Sequence, residues 1–168
     1  LSAGGGAPVA TAPVVTTPPP LPPDAIVVGA GLAGLAATLE LLDRGGHVIL
    51  VEKERTVGGN SARASSGINA CCPHNDTYGD SVDAFVADTT RSAGRGVNPH
   101  LIDVLAAGSG SAVQWLKERV GVDLSQVAQL GGHAYKRTNR PSTGMAGAEI
   151  IYSMQKAVKE VARGTGPG

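Results

Sequence analysis

The stretch from Ala25 to Asn69, AIVVGAGLAGLAATLELLDRGGHVILVEKERTVGGNSARASSGIN, limits what this chain can fold into more than any other part of it. Ala25 to Val28 is a short apolar run rich in β-branched residues, with Pro22, Pro23 and Asp24 before it and glycine after it. A buried parallel strand is predicted there. Gly29, Gly31 and Gly34 then fit G-x-G-x-x-G. Leu32, Leu35, Ala36, Leu39 and Leu42 recur at helical spacing until Gly45 and Gly46 stop the helix. His47 to Val51 is a second apolar run, and it ends at the acidic Glu52. Strand, glycine turn, helix and strand in this order make a Rossmann-like βαβ unit, so an α/β fold around a parallel sheet is expected.

Dinucleotide binding explains the spacing. Gly29 permits the tight turn, Gly31 lets the backbone approach a pyrophosphate, and Gly34 lets the helix pack close to the strand. Backbone N–H groups at the helix start then face the phosphates, with the positive end of the helix dipole behind them. Glu52 follows the turn by about 20 residues, where a carboxylate accepts hydrogen bonds from the ribose hydroxyls. An acid at this point, rather than an Arg for a 2′-phosphate, argues for NAD or FAD over NADP. The glycine motif alone is weak evidence in a chain with 24 glycines. Its placement between a strand and a helix, with the acid at the right distance, is what makes it informative.

A length of 168 residues suffices for one ordinary domain with a real core. The 14 basic and 14 acidic residues balance, and aromatics are 3% of the chain, so neither a general nucleic-acid surface nor a base-stacking platform is expected. Residues 1–23 carry no charge and are rich in Pro, Ala, Gly, Thr and Val, which reads as an extended linker. They lack the basic start and apolar centre of a secretory signal and the arginines of a transit peptide. No apolar run approaches the length of a membrane span, so a soluble intracellular protein is expected, its compartment left open. Cys71 and Cys72 are adjacent and cannot easily close a normal bridge, and no metal site is read from them. The chain opens on Leu1, which suggests a processed product or a piece of something longer.

After Glu52 and Lys53 comes a second small-residue loop, Gly58, Gly59, Asn60 and Ser61, then Ala64, Ser65, Ser66, Gly67, Ile68 and Asn69. Small residues let a backbone lie against a flat ring, and free N–H groups can donate to ring heteroatoms. A flavin would suit this loop, and a flexible surface loop is the alternative. GAGLAG, the EK pair and GGNSARASSGIN together resemble the flavoprotein family of fumarate reductases and succinate dehydrogenases, specifically its soluble members. The resemblance implies an FAD-binding domain. In that family the first loop binds the pyrophosphate, the acid binds ribose, and the second loop runs toward the isoalloxazine. Residue by residue this implicates Gly29, Ala30, Gly31, Leu32, Ala33, Gly34, Glu52, Lys53, Gly58, Gly59, Asn60, Ser61, Ala64, Ser65, Ser66 and Gly67. Membrane-bound members attach the flavin through a histidine, and Asn60 aligns with that position, so non-covalent FAD is implied. His74, just beyond, reads as a loop residue.

Downstream, Asp80 is expected to cap a helix carrying Val82, Phe85, Val86 and Thr89. Arg91 and Arg95 read as a solvated helix end, with phosphate contact the rival reading. Asn98 and Pro99 open another helix, with Leu101, Ile102, Leu105 and Ala106 as core, and Gly121 ends the helical region. The segment LGGHAYKRTNRP, Leu130 to Pro141, is also family-like, except that relatives usually carry His where Asn139 stands. His133, Lys136, Arg137 and Arg140 make a basic cluster that either draws in an anionic substrate or is a solvated loop. A closing amphipathic helix is predicted over Ala146 to Arg163, with Ile150, Met154, Ala157, Val158 and Val161 buried.

The expected organisation is a linker over 1–23, an incomplete Rossmann-like FAD-binding domain with additional helices over 24–163, and a tail over 164–168. The resemblance implies hydride transfer from reduced FAD that converts fumarate to succinate. The His and Arg residues that hold the dicarboxylate, and the proton donor, lie in parts of the family pattern that this chain lacks. No catalytic residue is therefore assigned. A further redox domain joined through the proline-rich start is one hypothesis. An NAD-binding dehydrogenase domain and a non-catalytic nucleotide-binding remnant are the rival readings.

Overall fold

The computed structural model describes residues 22–71 and 78–164. The expected linker up to residue 21, Cys72, His74 and the tail beyond Gly164 lie outside the described residues. The βαβ unit forms as predicted: β1 (Ala25–Val28), α1 (Leu32–Asp43) and β2 (Val48–Val51). β1 and β2 pair in parallel, with Ala25 opposite Val48 and Val28 opposite Val51. Gly45, at φ +80°, takes the left-handed turn that ends α1, and its N–H donates to Leu42 O at 2.9 Å.

The expectation of buried strands fails on one face. Ile26 and Val28 are 63% and 83% exposed, and Ile49 and Val51 are 47% and 46% exposed. α1 packs on the other face of this two-stranded sheet, with Leu35 and Leu39 fully buried. Side chains alternate along a strand, so every second residue of each strand stays bare when one face alone is covered.

A 3-10 turn (Ser61–Arg63) leads to β3 (Ile68–Asn69), the edge of a second sheet. That sheet is antiparallel, in the order β3-β5-β4, with β4 at Gln126–Ala128 and β5 at Thr138–Arg140. Between these strands run α2 (Val82–Ala93) and α3 (Pro99–Trp115). The cap of α2 corrects the expectation: Ser81 is the N-cap, its side chain accepting from Ala84 N–H at 3.1 Å, and the Asp80 carboxylate is used elsewhere. α3 starts at Asn98 and Pro99 as predicted, yet only Ile102 and Ala106 of its expected core residues are buried, while Leu101 and Leu105 are exposed. A wide turn, Leu116–Val120, extends α3, and Gly121 in the left-handed region stops it. Arg91 and Arg95 are exposed at the end of α2, as the solvated reading expects, and Arg91 also pairs with Asp88.

The last helix, α4 (Ala146–Ala162), buries Ile150, Ile151, Met154 and Ala157. These meet Leu35, Leu39, Val113, Leu116, Val122 and Leu124 in one core shared by α1, α3 and α4, with Val158 and Val161 packed at its margin. Among the described residues, no helix is long and apolar enough to cross a membrane.

Candidate functional site: the two glycine loops

The first glycine loop leaves the end of β1 at Gly29, whose φ of +98° only glycine adopts without strain. Its N–H donates to Val51 O at 2.7 Å, which joins the ends of the two parallel strands. Ala30, fully buried, makes the next two links. Its N–H donates to Glu52 Oε2 at 2.8 Å, and its carbonyl accepts the N–H of Gly58 at 2.7 Å. Leu32 N–H, in the first turn of α1, reaches Ser61 Oγ at 3.4 Å. One residue of the first loop thus ties both the acid at the end of β2 and the second loop to the start of α1.

Gly31 and Gly34 behave differently. A Cβ built on Gly34 would lie 1.8 Å from Gly29 O, so the helix sits on the strand end with no room for a methyl group. A Cβ on Gly31 would meet nothing nearer than Gly58 O and Ser61 Oγ, both at 3.9 Å. Close helix packing therefore accounts for Gly34, while the open side of Gly31 suits the backbone approach a pyrophosphate needs.

Glu52 Oε1 also accepts the N–H of Glu54 at 3.0 Å. The Glu54 and Ala30 N–H groups together hold the Glu52 carboxyl below the usual range, so it is ionised at neutral pH. A carboxylate can accept further hydrogen bonds on the remaining lone pairs, as hydroxyls of a ribose require. A cavity of about 840 Å³ opens at this point, and Gly29, Glu52, Lys53, Gly59 and Asn60 line it. Arg55, Thr56 and Arg63 line it too, and the sequence reading passed over them because their spacing matches no motif.

The rest of the second loop departs from this cavity. Gly58, at φ +114°, is packed so tightly that a Cβ would fall 2.8 Å from Ile151 Cγ2. Ala64 accepts Gly147 N–H at 2.8 Å, and Ser65 and Ser66 are exposed. Gly67, at φ +152°, lies against β5, where a Cβ would be 2.6 Å from Asn139 O. Ala33 points to solvent from α1. Gly147 was not singled out from sequence, although a Cβ there would lie 2.1 Å from Ser61 O and force α4 off the 3-10 turn.

The basic cluster comes apart in three dimensions. Arg137 is fully buried between Asp80 and Asp88, and Lys136 sits over the Tyr78 ring. His133 Nε2 lies 3.2 Å from Asn69 Nδ2. Acids hold Arg137 in the interior, whereas Lys136 stays exposed above its aromatic ring. Asn139 is buried in β5, and its Nδ2 donates to Arg137 O at 3.0 Å and to Ile68 O at 3.5 Å.

Comparison with known proteins agrees with this geometry. The profile of the FAD binding domain family matches residues 24–164. A fumarate reductase of Schizosaccharomyces pombe is 45% identical over 119 residues, 69% of this chain and 23% of that protein. Fumarate reductase 1 of Saccharomyces cerevisiae is 41% identical over 143 residues, 82% of this chain and 30% of that protein. The open conformation of a flavocytochrome c3 fumarate reductase superimposes with a TM-score of 0.78 at 36% identity, covering 83% of this chain and 25% of that one. The chain thus spans less than a third of the length of these relatives. It belongs to the FAD-binding domain family, as a segment of a flavoprotein of the fumarate reductase and succinate dehydrogenase kind.

Proposed function

We propose that residues 24–163 hold FAD without a covalent bond, as part of an enzyme that reduces fumarate or a closely related small dicarboxylate. The adenosine ribose is assigned to Glu52 and Lys53. The pyrophosphate is assigned to Gly29, Ala30, Gly31, Leu32, Ala33 and Gly34, and the run along the phosphates toward the ring to Gly58, Gly59, Asn60, Ser61 and Ala64 to Gly67. The observation that carries the reading is Ala30, which joins Glu52 and Gly58 while the neighbouring Gly31 keeps an open side. Reduced FAD, when bound, supplies the hydride for such a reduction.

The chain's own residues bind and orient. Glu52, ionised, takes the ribose hydroxyls; the first turn of α1 presents its positive end to the diphosphate; Gly31 admits the phosphate oxygens to the backbone. Polarising a dicarboxylate and delivering a proton need cations facing the substrate. Arg137 is already committed to Asp80 and Asp88, so it is not free to serve as one of them.

Identification of the small molecule carried by the purified protein tests the proposal. FAD in the supernatant after acid precipitation is the expected result. Flavin retained in the precipitate overturns the non-covalent assignment, NAD in the supernatant favours a dehydrogenase domain, and absence of any nucleotide favours a remnant.

A further inference from the structure

Arg137 is the largest fully buried side chain among the described residues. Its Nε and Nη2 donate to the two carboxylate oxygens of Asp80, at 3.0 and 2.6 Å. Nη1 lies 3.1 Å from Asp88 Oδ2, and the guanidinium stacks 4.7 Å from the centroid of Phe85. Asp88 also accepts Ala134 N–H at 2.7 Å and pairs with Arg91. A single cation thereby fastens the residue before the N-cap of α2, the middle of α2, and the segment entering β5. A buried ion network of this kind stabilises a fold little more than apolar packing would, so its contribution is better sought in geometry.

The geometry leads to the second loop. Arg137 O accepts Ala70 N–H at 2.9 Å, and Thr138 Oγ1 donates to Asn69 Oδ1 at 2.7 Å. β3 is two residues long, lies at a sheet edge and pairs with β5 alone, Ile68 opposite Asn139 and Asn69 opposite Thr138. Gly67 presses on Asn139 O from the same side. Where Arg137 sits thus sets where Gly67, Ile68 and Asn69 sit. The adenosine end rests on β1 and β2, which share no strand with this sheet.

We propose that Arg137, clamped by Asp80 and Asp88, is a positioning residue for the ring end of FAD: it fixes β5 and, through β5, the Gly67–Asn69 backbone beside the isoalloxazine. This rests on the reading that the second loop meets the ring. The two halves of the cofactor then depend on different residues, and ADP, which lacks the flavin, separates them.

ADP and FAD are titrated into the wild-type protein, Arg137→Lys and Asp88→Asn. Lysine keeps the charge but lacks the planar fork that grips both Asp80 oxygens while facing Asp88, and asparagine keeps an acceptor for Ala134 N–H while removing the charge that faces Arg137. The expected result is unchanged ADP affinity with FAD affinity reduced by about tenfold or more, as misplacement of a distant positioning group produces. The visible absorption band of bound FAD should lose its resolved shoulders in parallel. Variants that keep the wild-type ratio of FAD to ADP affinity overturn the inference, as does an equal fall in both affinities or loss of folded protein in both variants. A wild-type protein that binds FAD no more tightly than ADP sinks the placement of the ring itself, which is a distinguishable failure.

Discussion

Gly31 and Gly34 stand three residues apart in one motif, and the same substitution at each should have opposite consequences. Gly34→Ala places a methyl group 1.8 Å from Gly29 O, so α1 must lift off the strand end. Overpacking of that kind costs about 1–3 kcal/mol, and more where backbone has to move. Gly31→Ala meets no protein atom within 3.9 Å and weakens only the helix cap, by no more than about 1 kcal/mol. Denaturant melts should find Gly34→Ala the less stable protein, while ADP titration finds Gly31→Ala folded and unable to bind. Glu52 carries a second prediction. Its folded carboxyl is held low by the Glu54 and Ala30 N–H groups, so the native state releases this proton more readily than the unfolded chain does. Its stabilising contribution is complete above the ordinary glutamate value of about 4.3 and is lost as pH falls through the folded value below it. Glu52→Gln should melt below the wild type at neutral pH, and the gap should close on acidification. The turn at Gly29 and the close packing at Gly34 were legible beforehand because glycine spacing directly encodes backbone geometry.

Elements were legible in proportion to their length. α1, α3 and α4 carry several turns of apolar periodicity, and the chain shows it. β3, β4 and β5 span two or three residues each, too few for any period, so the second sheet went unpredicted. Arg137 was misjudged for a related reason: its acid partners stand 57 and 49 positions earlier, and no local pattern reports a pairing over that distance. The parallel strands misled in the other direction. Reading AIVV as buried presumes cover on both faces, the usual state of a parallel sheet, whereas here Ile26 and Ile49 stand exposed and in register with each other. Replacing both by Thr should change stability by no more than about 0.5 kcal/mol each, where a core isoleucine truncated to alanine costs about 2–5 kcal/mol. Light scattering should show less self-association of the double variant, because the bare apolar face is what it removes.

At the scale of the whole chain the question is whether two sheets with no common strand unfold as one. The core answers that they do, since Leu35 and Leu39 of α1 pack with Val113 of α3 and with Ile150, Ile151 and Met154 of α4. Asp43 on α1 and Arg119 beyond α3 form an ion pair, and α4 is pressed onto the 3-10 turn at Gly147. No movement of the first sheet leaves those helices untouched. Trp115, the sole tryptophan, packs at the margin of this core from the end of α3, which contributes nothing to the nucleotide cavity. It is therefore an independent witness. ADP at 100 times its dissociation constant adds about 2.7 kcal/mol to any unit that must be folded to bind it. If the core is common, the Trp115 fluorescence transition shifts by that amount and coincides with the loss of helix seen by circular dichroism. A Trp115 transition that stays in place while ligand is bound would mean that the glycine loops fold on α1 and the first sheet alone. The long-range links through Ala30, Gly58 and Gly147 would then be contacts made after folding instead of the frame that sets the cavity.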